Sequence, residues 1–143
     1  MIELLLRYAK KTYKGKVSSK EAIDYWTVSA ERNLSAAEDL FKTGHNVECL
    51  FFGHLVIEKM IKAVIAKEGN EPPPVHHLPY LVSLTKIKLD NKRERLLREV
   101  NDFNLRTRYD DYKYRFYKIA DKKFTAEKFQ KIVELYQWLK KQV

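Results

Sequence analysis

The sequence predicts an all-α protein of one domain, and three observations carry the prediction. Only four Gly and four Pro occur in 143 residues, too few breakers for the many short strands of an all-β fold. Apolar residues recur every three or four positions through several runs, the period of an amphipathic helix. With 45% hydrophobic side chains, a chain of this length can bury one core and is too short to suggest two.

Residues 2–11 could form a short amphipathic helix through Ile2, Leu5, Leu6 and Ala9, and the polar stretch TYKGKVSSK that follows lacks any apolar period. Residues 1–20 therefore read as an N-terminal helix and basic arm, and residues 21–143 as the helical body. Ser19 precedes a run in which Ile23, Trp26, Ala30, Leu34, Ala37, Leu40 and Phe41 share a face, predicting a helix to about Thr43 that Gly44 stops. Asn46 is placed to cap a second helix that runs to Lys67 and ends at Gly69. Its apolar residues cover most of the circumference, so it should be central, or central and part of a subunit interface. The run Pro72 to Pro74 stops it, and a third helix should begin near His77 and carry Leu78, Leu81, Val82 and Leu84. A fourth spans about Asn91 to Leu105, and a last one about Thr125 to Lys141, with Phe129, Ile132, Val133, Leu135, Tyr136 and Leu139 as its inward stripe. Between these two lies RTRYDDYKYRFYKIADKK, aromatic, charged and without a regular apolar period.

Charge is unevenly spread. Residues 1–20 carry six Lys/Arg and one acid, residues 21–83 five and nine, and residues 84–143 seventeen and nine, within a total of +9. Any anion-binding face should thus come from the later helices and the arm. A Lys- and Glu-rich surface is also what heat-adapted proteins carry, so the basic balance does not by itself name a partner. The single Cys49 lies in an apolar run, where it acts as a small buried hydrophobe and fits a reducing cytoplasm. MIELLLRYAKK is broken by Glu3 and Arg7, and no stretch approaches 18 uncharged apolar residues. The expectation is a cytoplasmic protein with no membrane association.

Two groups of residues could carry chemistry. Glu58 and Lys62 are one turn apart in the most apolar helix and can pair, with His54 one turn before Glu58. A carboxylate there, if buried, needs a cation or hydrogen-bond donors; if the pair faces solvent it is an ordinary surface ion pair. In FNLRTRYDDYKYRFYK, Arg106, Arg108 and Arg115 alternate with Tyr109, Tyr112, Tyr114 and Tyr117, so guanidinium groups that fork onto phosphate alternate with rings that stack on bases. The same composition serves protein interfaces or internal scaffolding, and Asp110 and Asp111 could neutralise the neighbouring Arg residues. His76 and His77 follow PPPV, where His77 could cap the third helix without any chemistry. No H-E-x-x-H, Gly-rich phosphate loop, G-x-S-x-G elbow or dinucleotide fingerprint is present, and neither a metal nor another cofactor is expected.

The chain resembles the HEPN domain family (higher eukaryotes and prokaryotes nucleotide-binding domain). In WTVSAERNLSAAEDLFKTGHNVECLFFGHLVIEKMIKAVIA, Trp26, Ala30, Leu34 and Ala37 match the family's opening helix, and Glu58, Lys59, Lys62 and Ala63 match its E-K-x-x-K-A signature. VHHLPYL is similar to the T-H-x-L-x-x-L element through His76, Leu78 and Leu81. FNLRTRYDDYK is similar to FNI-x-ARYPDYK, the form of the RYPD-type prokaryotic branch, through Phe103, Asn104, Arg106, Arg108, Tyr109, Asp111 and Tyr112. These pieces cover about residues 22–140.

The resemblance implies an up-and-down bundle of four or five helices that commonly dimerises. It also implies a protein often paired with a minimal nucleotidyltransferase in a toxin–antitoxin-like system. Many members are metal-independent ribonucleases that use an Arg, a gap of four to six residues and a His in the later half of the bundle. Here no His follows Arg106, Arg108 or Arg115, because His77 is the last in the chain, and Asp110 stands where the family usually has Pro. The usual general acid/base is missing, which speaks against an enzyme of the family type.

Three readings follow. The first is a non-catalytic or weakly catalytic dimer that binds RNA, a nucleotide or a nucleotidyltransferase. Its site would use Arg106, Arg108, Tyr109, Asp111 and Tyr112 in a cleft facing Glu58 and Lys62, with His76 at hand. The second is a ribonuclease toxin with a substitute base such as His76 or a Tyr. The third is a pure protein-interaction module whose aromatic segment is the partner face.

Overall fold

A computed structural model describes residues 2–4, 19–108 and 110–143, the side chains of 110–113 excepted. The proposed N-terminal helix is seen only at residues 2–4, and the rest of it and the arm, up to residue 18, lie outside the described residues. Six further helices follow: α1 (Ser19–Lys42), α2 (Asn46–Lys67), α3 (Leu78–Ser83), α4 (Asn91–Arg106), α5 (Asp110–Ile119) and α6 (Lys122–Gln142). No strand occurs among the described residues.

The connection between α1 and α2 is set by backbone chemistry. Gly44 adopts φ +81°, the left-handed conformation that only glycine takes without strain, and the His45 N–H donates to the Leu40 carbonyl at 2.8 Å. This closes α1 and reverses the chain within three residues. Gly69 (φ +85°) ends α2 in the same way, the Asn70 N–H reaching the Ile65 carbonyl at 3.1 Å. Small residues Ala22, Ser29, Ala30 and Ala37 form the inner face of α1 and let it approach α2 closely.

Helix α2 is central because it packs against every other one of these helices, and from Val47 to Ala66 its buried residues face all directions. Cross-links give the directions of the remainder. Asn46 near the start of α2 reaches the Ala120 carbonyl before α6, and Lys67 at its end reaches the Gln142 carbonyl. Helices α2 and α6 therefore run parallel. Ser19 bonds the Ala66 carbonyl, so α1 runs opposite to α2. Arg93 stacks on Trp138 and Glu99 pairs with Lys128, so α4 runs opposite to α6. The result is an up-and-down bundle of α1, α2, α4 and α6, with α3 and α5 as short connecting helices. Gly53 marks a close approach within it, since a Cβ there would lie 2.8 Å from Ile132 Cδ1.

Three expectations need correction. Asn46 does not cap α2: His45 occupies that position without a side-chain bond, and the Asn46 amide is spent on Ala120 instead. The last helix starts at Lys122 rather than near Thr125, because Asp121 caps it by accepting the Phe124 N–H. The irregular segment contains a helix, α5, held to the core by Phe116. One buried ring among the described side chains of α5 leaves no apolar stripe for a periodicity argument to find.

Candidate functional site

Three elements supply the site. The two turns of α2 from His54 to Lys62 cross the middle of the bundle, where His54 is fully buried and Glu58 and Lys62 are 3% and 4% exposed. The i, i+4 spacing lines the three on one face. The extended residues before α3 bring His76 alongside, held in place by an α3 that His77 caps through the Tyr80 N–H and that Asn101 of α4 anchors by accepting the Leu78 N–H at 2.9 Å. The turn after α4 supplies Arg108, whose guanidinium lies 5.7 Å from the Phe51 ring of α2.

The carboxylate of Glu58 is the hub. Its Oε2 accepts from Lys62 Nζ at 3.1 Å, and His76 Nδ1 sits 3.0 and 3.1 Å from its two oxygens. The Lys62 ammonium also lies 5.1 Å from the centre of the Trp26 ring. A buried carboxylate is tolerable only when its charge is matched and its lone pairs are engaged, and these contacts do both. With Nδ1 donating to Glu58, the other ring nitrogen of His76 has no partner among the described residues, and the side chain is 52% exposed. The arrangement is a carboxylate that orients an accessible imidazole, with a cation buried behind it and an arginine nearby.

His54 lies beneath this group. Its Nδ1 is 3.9 Å from Glu58 Oε1, and neither ring nitrogen makes a hydrogen bond among the described residues. Burial pushes its imidazole down to about 4; the Glu58 carboxylate and the nearby His76 backbone oppose that shift, while the charges of His76 and Arg108 add to it. The sign follows from linkage. A histidine held neutral in the fold and ordinary in the unfolded chain contributes stability that is present above about pH 6.5 and lost as the pH falls to about 4. We expect His54→Leu to abolish a loss of about 3 kcal/mol over that window. Urea unfolding of both proteins across it checks this, and parallel curves would refute it.

The placement of the other sequence-derived residues is mixed. Arg106 does not join Glu58: its guanidinium packs 4.5 Å from the Phe116 ring, between α4 and α5. Tyr109 and the side chains of Asp111 and Tyr112 lie outside the described residues. Asn104, one turn beyond Asn101 on α4, has a buried Oδ1 with no partner among the described residues. The signal for it was present in the FN pair but carried no chemistry by itself. Burial lifts the Cys49 thiol to about 12, so it stays an inert hydrophobe. No group of three or more His, Cys, Asp or Glu among the described residues is placed to hold a metal ion. Among the same residues, no helix is long and apolar enough to cross a membrane.

Comparison with known proteins bears on the family and the fold. No curated protein matches the chain significantly. The crystal structure of TT1696 from Thermus thermophilus superposes with a TM-score of 0.73 over 85% of this chain and 98% of that one, at 13% identity, a likeness of fold alone. The family model described as the HEPN domain matches residues 23–142, nearly all of the bundle and every element of the site. The chain belongs to the HEPN domain family.

Proposed function

We propose that this protein binds single-stranded RNA or a nucleotide without cleaving it efficiently, through His76 and Arg108 at the edge of the buried Glu58–Lys62 pair. The observation that carries the reading is the Glu58–His76 contact: an imidazole held at 3.0 Å by a buried carboxylate presents a fixed polar edge, and the exposed Arg108 lies near enough to act on His54 beneath it. Glu58 and Lys62 neutralise one another, so the accessible groups at the rim are donors and cations, which suits a phosphate. HEPN domains are often nucleotide-binding, RNA-binding or ribonucleolytic, and the absence of a His after Arg108 favours binding over cleavage.

One test separates this from the second reading. The purified protein is incubated with a mixed single-stranded RNA pool and a chelator, and cleavage and retention are followed together. Retention without cleavage, weakened about tenfold or more by Arg108→Ala, is the expected result. The Glu58–His76 pair gives the ribonuclease reading its own support, since a neutral imidazole with Nδ1 bonded to a carboxylate keeps its other nitrogen free to take a proton. Cleavage that disappears in His76→Ala would establish that reading. A homodimer, and a nucleotidyltransferase partner in a toxin–antitoxin-like pair, are further proposals that rest on the family alone and are tested by sedimentation and by co-purification.

A further inference from the structure

Among the described side chains of α5, from residue 114 to residue 119, one anchors the helix and the others are open. Phe116 is fully buried, its ring centre 5.5 Å from that of Phe103 and 6.2 Å from that of Phe124. Every other side chain from residue 114 to residue 119 is exposed, Tyr114 at 73% and Tyr117 at 53%. The two rings are one turn apart and share a face. Lys118 lies on the same face, its Nζ 5.4 Å from the centre of the Tyr114 ring, and Arg115, Lys122 and Lys123 are also exposed. The only acid in 114–123 is Asp121, and its carboxylate is engaged in capping α6.

From this we infer that the outer face of α5 is a stacking track for single-stranded nucleic acid, with bases on Tyr114 and Tyr117 and phosphates on Arg115 and Lys118. The inference rests on the proposed nucleic-acid reading and extends it to a second surface. The two are continuous in the chain, because α5 begins two residues after Arg108. Exposed rings interleaved with cations are what sequence-tolerant binding of a single strand requires, since every base has a face to stack and every nucleotide a charge to neutralise. A second copy of the chain fits less well. A two-fold contact would set Arg115, Lys118, Lys122 and Lys123 against their own equivalents, and interface cores are depleted in lysine.

The test compares fluorescence anisotropy of a labelled oligouridine of about 12 nucleotides with that of an RNA duplex of the same length, in wild type, Tyr114→Ala/Tyr117→Ala, Tyr114→Phe/Tyr117→Phe and Arg108→Ala. Wild type should prefer the single strand. The alanine pair should lose about tenfold or more in single-strand affinity and leave duplex affinity unchanged, while the phenylalanine pair keeps both. Both positions are exposed and Phe116 is untouched, so circular dichroism should show an intact fold. Unchanged single-strand affinity in the alanine pair overturns the track, and if Arg108→Ala still weakens binding the Arg108 site stands without it. No binding of either RNA by wild type overturns both. A wild-type dimer that the alanine pair converts to monomer in sedimentation assigns the face to a second copy and overturns the track.

Discussion

Glu58→Ala will destabilise the protein by about 3–5 kcal/mol, the cost of leaving a buried cation without its partner. Lys62 is 4% exposed, its ammonium is 3.1 Å from Glu58, and the Trp26 ring at 5.1 Å cannot replace a full negative charge. Removing the carboxylate also deprives His76 of the acceptor that fixes its ring. Urea denaturation of the variant measures the loss. The double variant Glu58→Leu/Lys62→Met should recover most of it, because replacing a whole buried ion pair by apolar groups of similar volume is often neutral or stabilising. The same double variant should lose RNA retention, since it folds but no longer orients His76. A double variant that is as unstable as Glu58→Ala would show that the loss came from packing rather than from the unpaired charge. A stable double variant that still binds RNA with wild-type affinity would separate the ion pair from function.

Phe116→Ala should cost about 3–5 kcal/mol, in the range of a fully buried Phe, and should act on one region more than on the rest. The ring is the only buried side chain described in α5, and it touches Phe103 of α4, Phe124 of α6 and the Arg106 guanidinium. Truncation opens a cavity where three helices meet and removes what holds α5 to the bundle. Native-state amide exchange should show protection lost first across residues 110–119, with α2 keeping the protection of the global unfolding event. Uniform loss of protection would mean that α5 folds as part of one cooperative core.

The extent of three of the four long helices was readable from local chemistry. The glycines at 44 and 69, the proline run and the three- or four-residue apolar period all act within a few residues, so α1, α2 and α4 begin and end within a residue or two of where the sequence places them. Helix α5 escaped because its order depends on Phe116 packing between Phe103 of α4 and Phe124 of α6, a tertiary contact that no apolar period within the segment records. The early start of α6 was legible in Asp121, an N-cap residue whose significance is clear only once the Phe124 N–H is seen to need it.

The site divides in the same way. The pairing of Glu58 with Lys62 is a matter of helical spacing, and the sequence contains it without help. Whether that pair faced water or the interior was open, because the helix is apolar on nearly all sides and a period cannot say which side is covered. Packing decided it: Trp26 of α1 lies against Lys62, His76 from the segment before α3 lies against Glu58, and both charges are buried. The contact of His76 with Glu58, across 18 residues of chain, exists only because Asn101 on α4 and the His77 cap pin the start of α3. Likewise, nothing local distinguishes Arg106 from Arg108, yet the turn after α4 sends one guanidinium to Phe116 and the other toward Phe51 and His54. By itself the sequence determined the all-helical class, the extent of three of the four long helices and the one-turn spacing of the polar residues in α2, since each depends on interactions among near neighbours. The tertiary structure alone decided which charges are buried, which histidine is oriented and which arginine joins them, since each depends on the desolvation and contacts that distant segments impose.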